Sequence, residues 1–122
     1  MPDPISLLIG LAVVLAILIL VKRAGQISAE QAHKLLDDDA LLIDVRSPNE
    51  FEAEHLDKAV NIPLQSLSQG VSQLKIPATR PILAYCLSGT RSAMAVRTLR
   101  ANGFKNAHNL GSLHRARKIT VS

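Results

Sequence analysis

The strongest pattern along the chain is an apolar run with no polar face. Residues 5–21, ISLLIGLAVVLAILILV, carry no charge, and only Ser6 and Gly10 dilute them. As a helix rising about 1.5 Å per residue the run is roughly 25 Å long. That is the short end for a hydrocarbon core of about 30 Å, a gap that local thinning and snorkelling of Lys22 would close. A helix packed on a small soluble domain normally keeps one polar face, and this run has none. A secretory signal places its basic region before the apolar stretch. Here Asp3 precedes the run, and Lys22 and Arg23 follow it. Positive charge stays cytoplasmic, so the pattern predicts a single-pass anchor in a bacterial-type inner membrane, with the rest of the chain on the cytoplasmic side. A cleaved signal with a periplasmic domain is the alternative.

Beyond a short linker, Ala24-Gly25-Gln26, the pattern alternates between helical and strand periods. Residues 1–26 therefore read as anchor and linker, and 27–122 as one domain. Ser28-Ala-Glu-Gln31 fits a capping box and opens a helix through Leu35 and Leu36, which Asp37 to Asp39 ends. Ala40 to Val45 is an apolar run broken only by Asp44, a buried parallel strand by its composition. Ser47-Pro-Asn-Glu50 is a second capping box, with Pro48 at the first helical position. A short strand follows at Ala59–Ile62, a weak helix at Leu67–Leu74, and another buried strand at Ile82–Tyr85. From Arg91 to Asn102 a helix carries Ser92, Ala95, Val96 and Leu99 on one face and Arg97 and Arg100 on the other. Gly103 stops it. A last strand at Asn106–Leu110 and a basic helix at Ser112–Lys118 complete the reading. Strands alternating with helices predict an α/β fold, a mainly parallel central sheet flanked by helices.

Composition changes this picture in two ways. Apolar residues make up 48% of the 122, but aromatic ones only 2%, so the core must rest on Leu, Ile, Val and Ala. The formal charge is +4, and no acidic residue follows Asp57, so one part of the surface is basic. Such a surface attracts anionic substrates, anionic lipid or nucleic acid. With no aromatic interleaving and no nucleic-acid motif, nucleic acid ranks last and is not expected as a partner.

Residues 85–92, YCLSGTRS, hold the one cysteine, Cys86. It falls at the carboxyl end of a predicted strand, where open α/β sheets bind their ligands. The loop that follows converges its N–H groups, Gly89 permits the turn, and the next helix presents its positive dipole end. Arg91 adds a planar cation suited to a sulfo- or phospho-oxyanion, and Ser88, Thr90 and Ser92 add hydroxyl donors. These features describe a nucleophile in an anion cradle, with Leu87, Ser88, Gly89, Thr90, Arg91 and Ser92 as substrate-binding residues. A buried structural cysteine is the alternative. One cysteine and four scattered histidines (His33, His55, His108 and His114) show no metal-ligand spacing, so no metal is expected.

The same stretch resembles the active-site loop of the rhodanese family, the single-domain sulfurtransferases. Cys86, Gly89, Arg91 and Ser92 match the family's Cys-x-x-Gly-x-Arg pattern and the Ser or Thr that often follows it. Ile43 to Pro63, IDVRSPNEFEAEHLDKAVNIP, resembles a second family block, and Gly103 to Leu113 resembles its closing strand. The likeness covers residues 27–113. It implies a rhodanese-like domain and a two-step transfer through a persulfide on Cys86, which needs no cofactor. The implied partners are an anionic sulfur donor such as thiosulfate and a thiol, cyanide or protein-cysteine acceptor. Asp44 and Arg46 match the second block as pocket support, either pairing with each other or with Arg46 bracing Glu50. Related Cdc25-type phosphatases and arsenate reductases have five residues between Cys and Arg. Here the four residues Leu87 to Thr90 intervene, which in this family goes with sulfur chemistry. A membrane-tethered binding module is the other alternative, opposed by the intact cysteine loop. The chain departs from the pattern at Glu54 and Lys58, at Ser112, and in lacking the common Trp of the last helix. That helix is therefore expected to pack less well and to lie near anionic lipid.

Overall fold

The computed structural model describes residues 1–121, the side chains of residues 22–24 excepted. The expectations for the Lys22 and Arg23 side chains lie outside what is described. Helix α1 spans Pro4–Ala24. Every large apolar side chain from Ile5 to Val21 is exposed, and the helix is long and apolar enough to cross a membrane.

The remaining elements follow the alternation read from the sequence. They are α2 (Ala29–Asp37), β1 (Leu41–Asp44), α3 (Pro48–Ala53), β2 (Val60–Asn61), a 3-10 turn (Leu64–Ser66) running into α4 (Leu67–Gln73), β3 (Ile82–Cys86), α5 (Thr90–Ala101), β4 (Ala107–Ser112) and α6 (Leu113–Thr120). Ser28 caps α2 by accepting from the Gln31 N–H at 3.1 Å. The full reciprocal box forms at α3, where Ser47 Oγ accepts from the Glu50 N–H and Glu50 Oε1 accepts from the Ser47 N–H, with Pro48 inside the first turn.

The sheet has the order β2-β1-β3-β4, and every neighbouring pair is parallel. Period-two alternation along β3 builds a core on each face. Ile82, Ala84 and Cys86 join Leu67 and Val71 of α4 and Ala95, Val96 and Leu99 of α5. Leu83 and Tyr85 join Ala32 of α2 and Leu113, Ala116 and Ile119 of α6. The buried face of α5 is Ser92, Ala95, Val96 and Leu99.

The last helix corrects one expectation. Despite the missing Trp, α6 packs into the second core through Leu113, Ala116 and Ile119. Its Arg115 turns inward and donates to the carbonyls of Leu110 and Ile27, while Arg117 and Lys118 stay exposed. Small and aliphatic side chains at helical spacing suffice to seat a helix without an aromatic anchor.

The topology places a crevice. From β1 the chain leaves toward β2, and from β3 it leaves toward β4, so the order reverses between β1 and β3. Ligand sites of open α/β sheets lie outside the carboxyl ends of the strands at such a point. Asp44 ends β1 there, and Cys86 ends β3.

Candidate active site

Cys86 is fully buried and faces the N-terminus of α5. Its Sγ accepts from the Gly89 N–H at 3.0 Å and the Ser92 N–H at 3.4 Å, and lies 3.5 Å from Ser92 Oγ. The loop achieves this in three residues because Gly89 adopts φ 95°, a left-handed conformation strained for any residue with a side chain. A Cβ at Gly89 would also stand 3.3 Å from Gln26 Nε2, so the linker packs directly on this loop. Burial pushes the Cys86 thiol up; the hydrogen bonds of the Ser92 hydroxyl and of the Ser92, Gly89 and Ser88 N–H groups outweigh it, and the net direction is down.

The other loop residues divide by exposure. Leu87, Ser88 and Thr90 face solvent, with Leu87 57% exposed, and Ser88 Oγ lies 3.4 Å from Thr90 Oγ1. Ser92 is fully buried, so its hydroxyl meets the sulfur and the interior, not the open side. Arg91 is half-buried, and its fork is already engaged by Glu50, Nη1 to Oε1 at 2.7 Å and Nη2 to Oε2 at 3.1 Å. This clasp joins the helix after β1 to the helix after β3 across the switch point. Reading the sequence assigned Glu50 to a helix cap and, as one alternative, to a brace from Arg46, not to a pairing with Arg91. Nothing in the pattern shows that one carboxylate closes both a cap and an ion pair 41 residues away.

The Arg91 guanidinium, with lesser help from the Ser47 bonds, holds the Glu50 carboxyl down at about 2. Its folded value lies below the ordinary 4.5, so the stability it contributes is fully present above pH 4.5 and is lost as pH falls toward 2. The pair is 38% and 32% exposed, which limits its contribution to about 1 kcal/mol through solvent screening. Urea midpoints of wild type and Glu50→Gln should differ at pH 6 and converge near pH 2.

Asp44 and Arg46 adopt the mutual pairing. Arg46 Nη2 donates to Asp44 Oδ2 at 2.7 Å and Nε donates to both oxygens at 3.0 and 3.1 Å, with side chains 3% and 0% exposed. Arg46 Nη2 also donates to the Glu54 carbonyl at 2.7 Å, holding the turn where the chain departs from the family pattern. The Arg46 guanidinium stands 5.9 Å from the ring centroid of Tyr85, another residue the sequence reading passed over. Tyr85 Oη accepts from the Leu56 N–H at 3.1 Å, and burial raises its phenol well above the ordinary range. The histidines lie elsewhere. His55 stacks on Phe51, His33 bonds the Ile119 carbonyl and His108 bonds Asn106. Among the described residues no cluster of potential metal ligands forms.

The site is a buried thiol under converging N–H groups at a strand-to-helix turn. Residues 28–114 match the rhodanese-like domain family. The chain belongs to that family. Its similarity to the uncharacterized protein YqhL of Bacillus subtilis (strain 168) is 45% identity over 71 residues, covering 58% of this chain and 55% of that one. Similarity to the tRNA uridine(34) hydroxylase of Sodalis glossinidius (strain morsitans) is 35% over 89 residues, 69% of this chain and 25% of the hydroxylase. The chain thus spans about half the length of the first relative and about a quarter of the second. The human single-domain sulfurtransferase TSTD1 superposes with a TM-score of 0.66 at 25% identity, covering 77% of this chain and 96% of that one. A rhodanese with anions from E. coli superposes with a TM-score of 0.60 at 29% identity, covering 62% and 89%. This rhodanese-like fold therefore has sulfurtransferases among its structural neighbours.

Proposed function

We propose that the chain is a thiosulfate-type sulfurtransferase, held at a membrane by residues 5–21, with residues 27–122 as the rhodanese-like domain. The observation that carries this reading is the Cys86 sulfur under the N–H groups of Gly89 and Ser92 at the start of α5. Thiolate Cys86 attacks the outer sulfur of thiosulfate. A new S–S bond forms on Cys86, the donor's S–S bond breaks, and sulfite leaves with the electron pair. Cyanide, a small thiolate or a cysteine of an acceptor protein then attacks the outer persulfide sulfur, and the Cys86 thiolate is released. Covalent catalysis divides one transfer into two easier displacements. The loop N–H groups and the dipole of α5 hold the negative charge of thiolate and persulfide in turn. Arg91 draws in the donor anion, which must compete with Glu50 for its fork.

Incubation with thiosulfate, followed by intact mass, tests the first step. The protein should gain the mass of one sulfur atom and release thiocyanate when cyanide is added. No added sulfur and no thiocyanate would remove the thiosulfate reading. Release of phosphate from an aryl phosphate would favour the phosphatase alternative.

Asp3 before the apolar helix, and Lys22 and Arg23 after it, support a cytoplasmic domain. The full chain should stay with the membrane fraction at high salt, and a chain lacking residues 1–24 should leave it. Retention of the shortened chain would show that another surface does the anchoring.

A further inference from the structure

The hydrogen bonds behind Cys86 assign the position of one proton. Asn109 is buried on β4 and makes three contacts. Its Nδ2 donates to the Gly89 carbonyl at 3.2 Å, and its Oδ1 accepts from the Gly111 N–H at 2.9 Å and from Ser92 Oγ at 2.6 Å. The amide cannot be turned the other way. The Gly111 N–H can only donate and the Gly89 carbonyl can only accept, so the oxygen end faces Gly111 and Ser92. An oxygen that only accepts obliges the Ser92 hydroxyl to donate to it. A serine hydroxyl has one proton. While that proton lies on Asn109, Ser92 shows the Cys86 sulfur a lone pair at 3.5 Å. A lone pair suits an S–H donor and opposes a thiolate. Turning the hydroxyl onto the sulfur reverses this preference, and Asn109 Oδ1 still keeps its bond from Gly111.

The sheet register makes this arrangement. Ala84 pairs with Asn109, but Tyr85 pairs with Gly111, so Leu110 is an extra residue in β4. The irregularity falls where Gly111 takes φ 99°, and Asn109 Oδ1 bonds the N–H that this turn presents.

We propose that Asn109 is a positioning residue: by holding the Ser92 proton away from the sulfur it keeps part of Cys86 as neutral thiol, and ionisation requires the Ser92 hydroxyl to turn. The inference rests on Cys86 as the nucleophile, yet it concerns ionisation alone. The downward influence of the Ser92 hydroxyl on the thiol belongs to the turned state. The charged groups around the thiol are Arg91 on α5 with Glu50 of α3 clasped to it, the Asp44–Arg46 pair beyond β1, and Arg115 of α6 beside Gly111. On β4, His108 pairs with Leu83, three residues before the cysteine. The substitutions below alter none of them.

The chain has one cysteine, so alkylation by iodoacetamide, followed by intact mass as a function of pH, reads Cys86 alone in the full-length protein. Asn109→Ala should move the midpoint down by about half a pH unit, a roughly threefold gain in thiolate at a pH below both midpoints. In a Ser92→Ala background the same substitution should move nothing. A merely structural asparagine predicts the opposite sign, because a loosened loop loses its oriented N–H donors and the midpoint rises. An upward or absent shift, or a downward shift that persists without the Ser92 hydroxyl, overturns the proposal. Ser92→Ala alone gives a second reading that needs no change at Asn109. It should raise the midpoint by less than about half a unit, and a larger rise would show the hydroxyl proton already on sulfur. Alkylation does not involve sulfur transfer, so failure here and failure of the sulfurtransferase reading are separate results.

Discussion

Cys86→Ser should abolish sulfur transfer while leaving the fold in place. The hydroxyl enters a fully buried position, but the Gly89 and Ser92 N–H groups that meet the sulfur remain as donors to it. The new polar atom is therefore satisfied, and stability should change little. Chemistry should not survive. The groups that meet this position are the Gly89 and Ser92 N–H donors and the Ser92 hydroxyl, none of them a base that could take a serine proton, and an O–S adduct is no substitute for a persulfide. Loss of a covalent nucleophile of this kind costs roughly 10⁴-fold or more in turnover. The measurement is thiocyanate release alongside intact mass and thermal unfolding. A folded Cys86→Ser protein that still forms thiocyanate at a comparable rate would place the reacting sulfur elsewhere.

Asp44→Leu should be the most destabilising change near the site. It strands the Arg46 guanidinium, 3% exposed, without its carboxylate partner. Breaking a buried ion pair by removing one member costs about 3–5 kcal/mol, a large share of the roughly 5–15 kcal/mol that holds a domain folded. The same substitution also removes the acceptor of the Arg46 N–H. Asp44→Leu combined with Arg46→Met removes both charges and should recover part of the loss, since an apolar pair of similar volume is often no worse than a buried ion pair. Recovery stays incomplete because the Glu54 carbonyl then loses the Arg46 donor. Denaturant unfolding of the two singles and the double gives the coupling energy directly. Coupling near zero would mean that the pair contributes nothing to the fold.

How far the site is legible in the sequence depends on the range of each contact. The helix face Ser92, Ala95, Val96 and Leu99 follows from spacing, and the same four residues are buried. The capping box at Ser47 and the strand ending in Cys86 follow from patterns a few residues long. The packing of α6 did not follow, because a missing Trp says nothing about how well Leu113, Ala116 and Ile119 fill the same face.

By itself the sequence determined what short-range physics controls. An uncharged apolar run forms one unbroken helix long enough to cross a membrane, alternating strands and helices form a layered parallel sheet, and a cysteine after a buried strand with Gly and Arg close behind meets helix N–H groups. Only the tertiary structure decided the partners of those groups. The Arg91 fork meets Glu50, and the Ser92 proton goes to Asn109. Both partners arrive from separate elements, brought in by the reversal of strand order between β1 and β3 and by one extra residue in β4. Neither leaves a periodic trace in the chain, because a single long-range hydrogen bond needs one residue at one place and imposes no pattern on its neighbours.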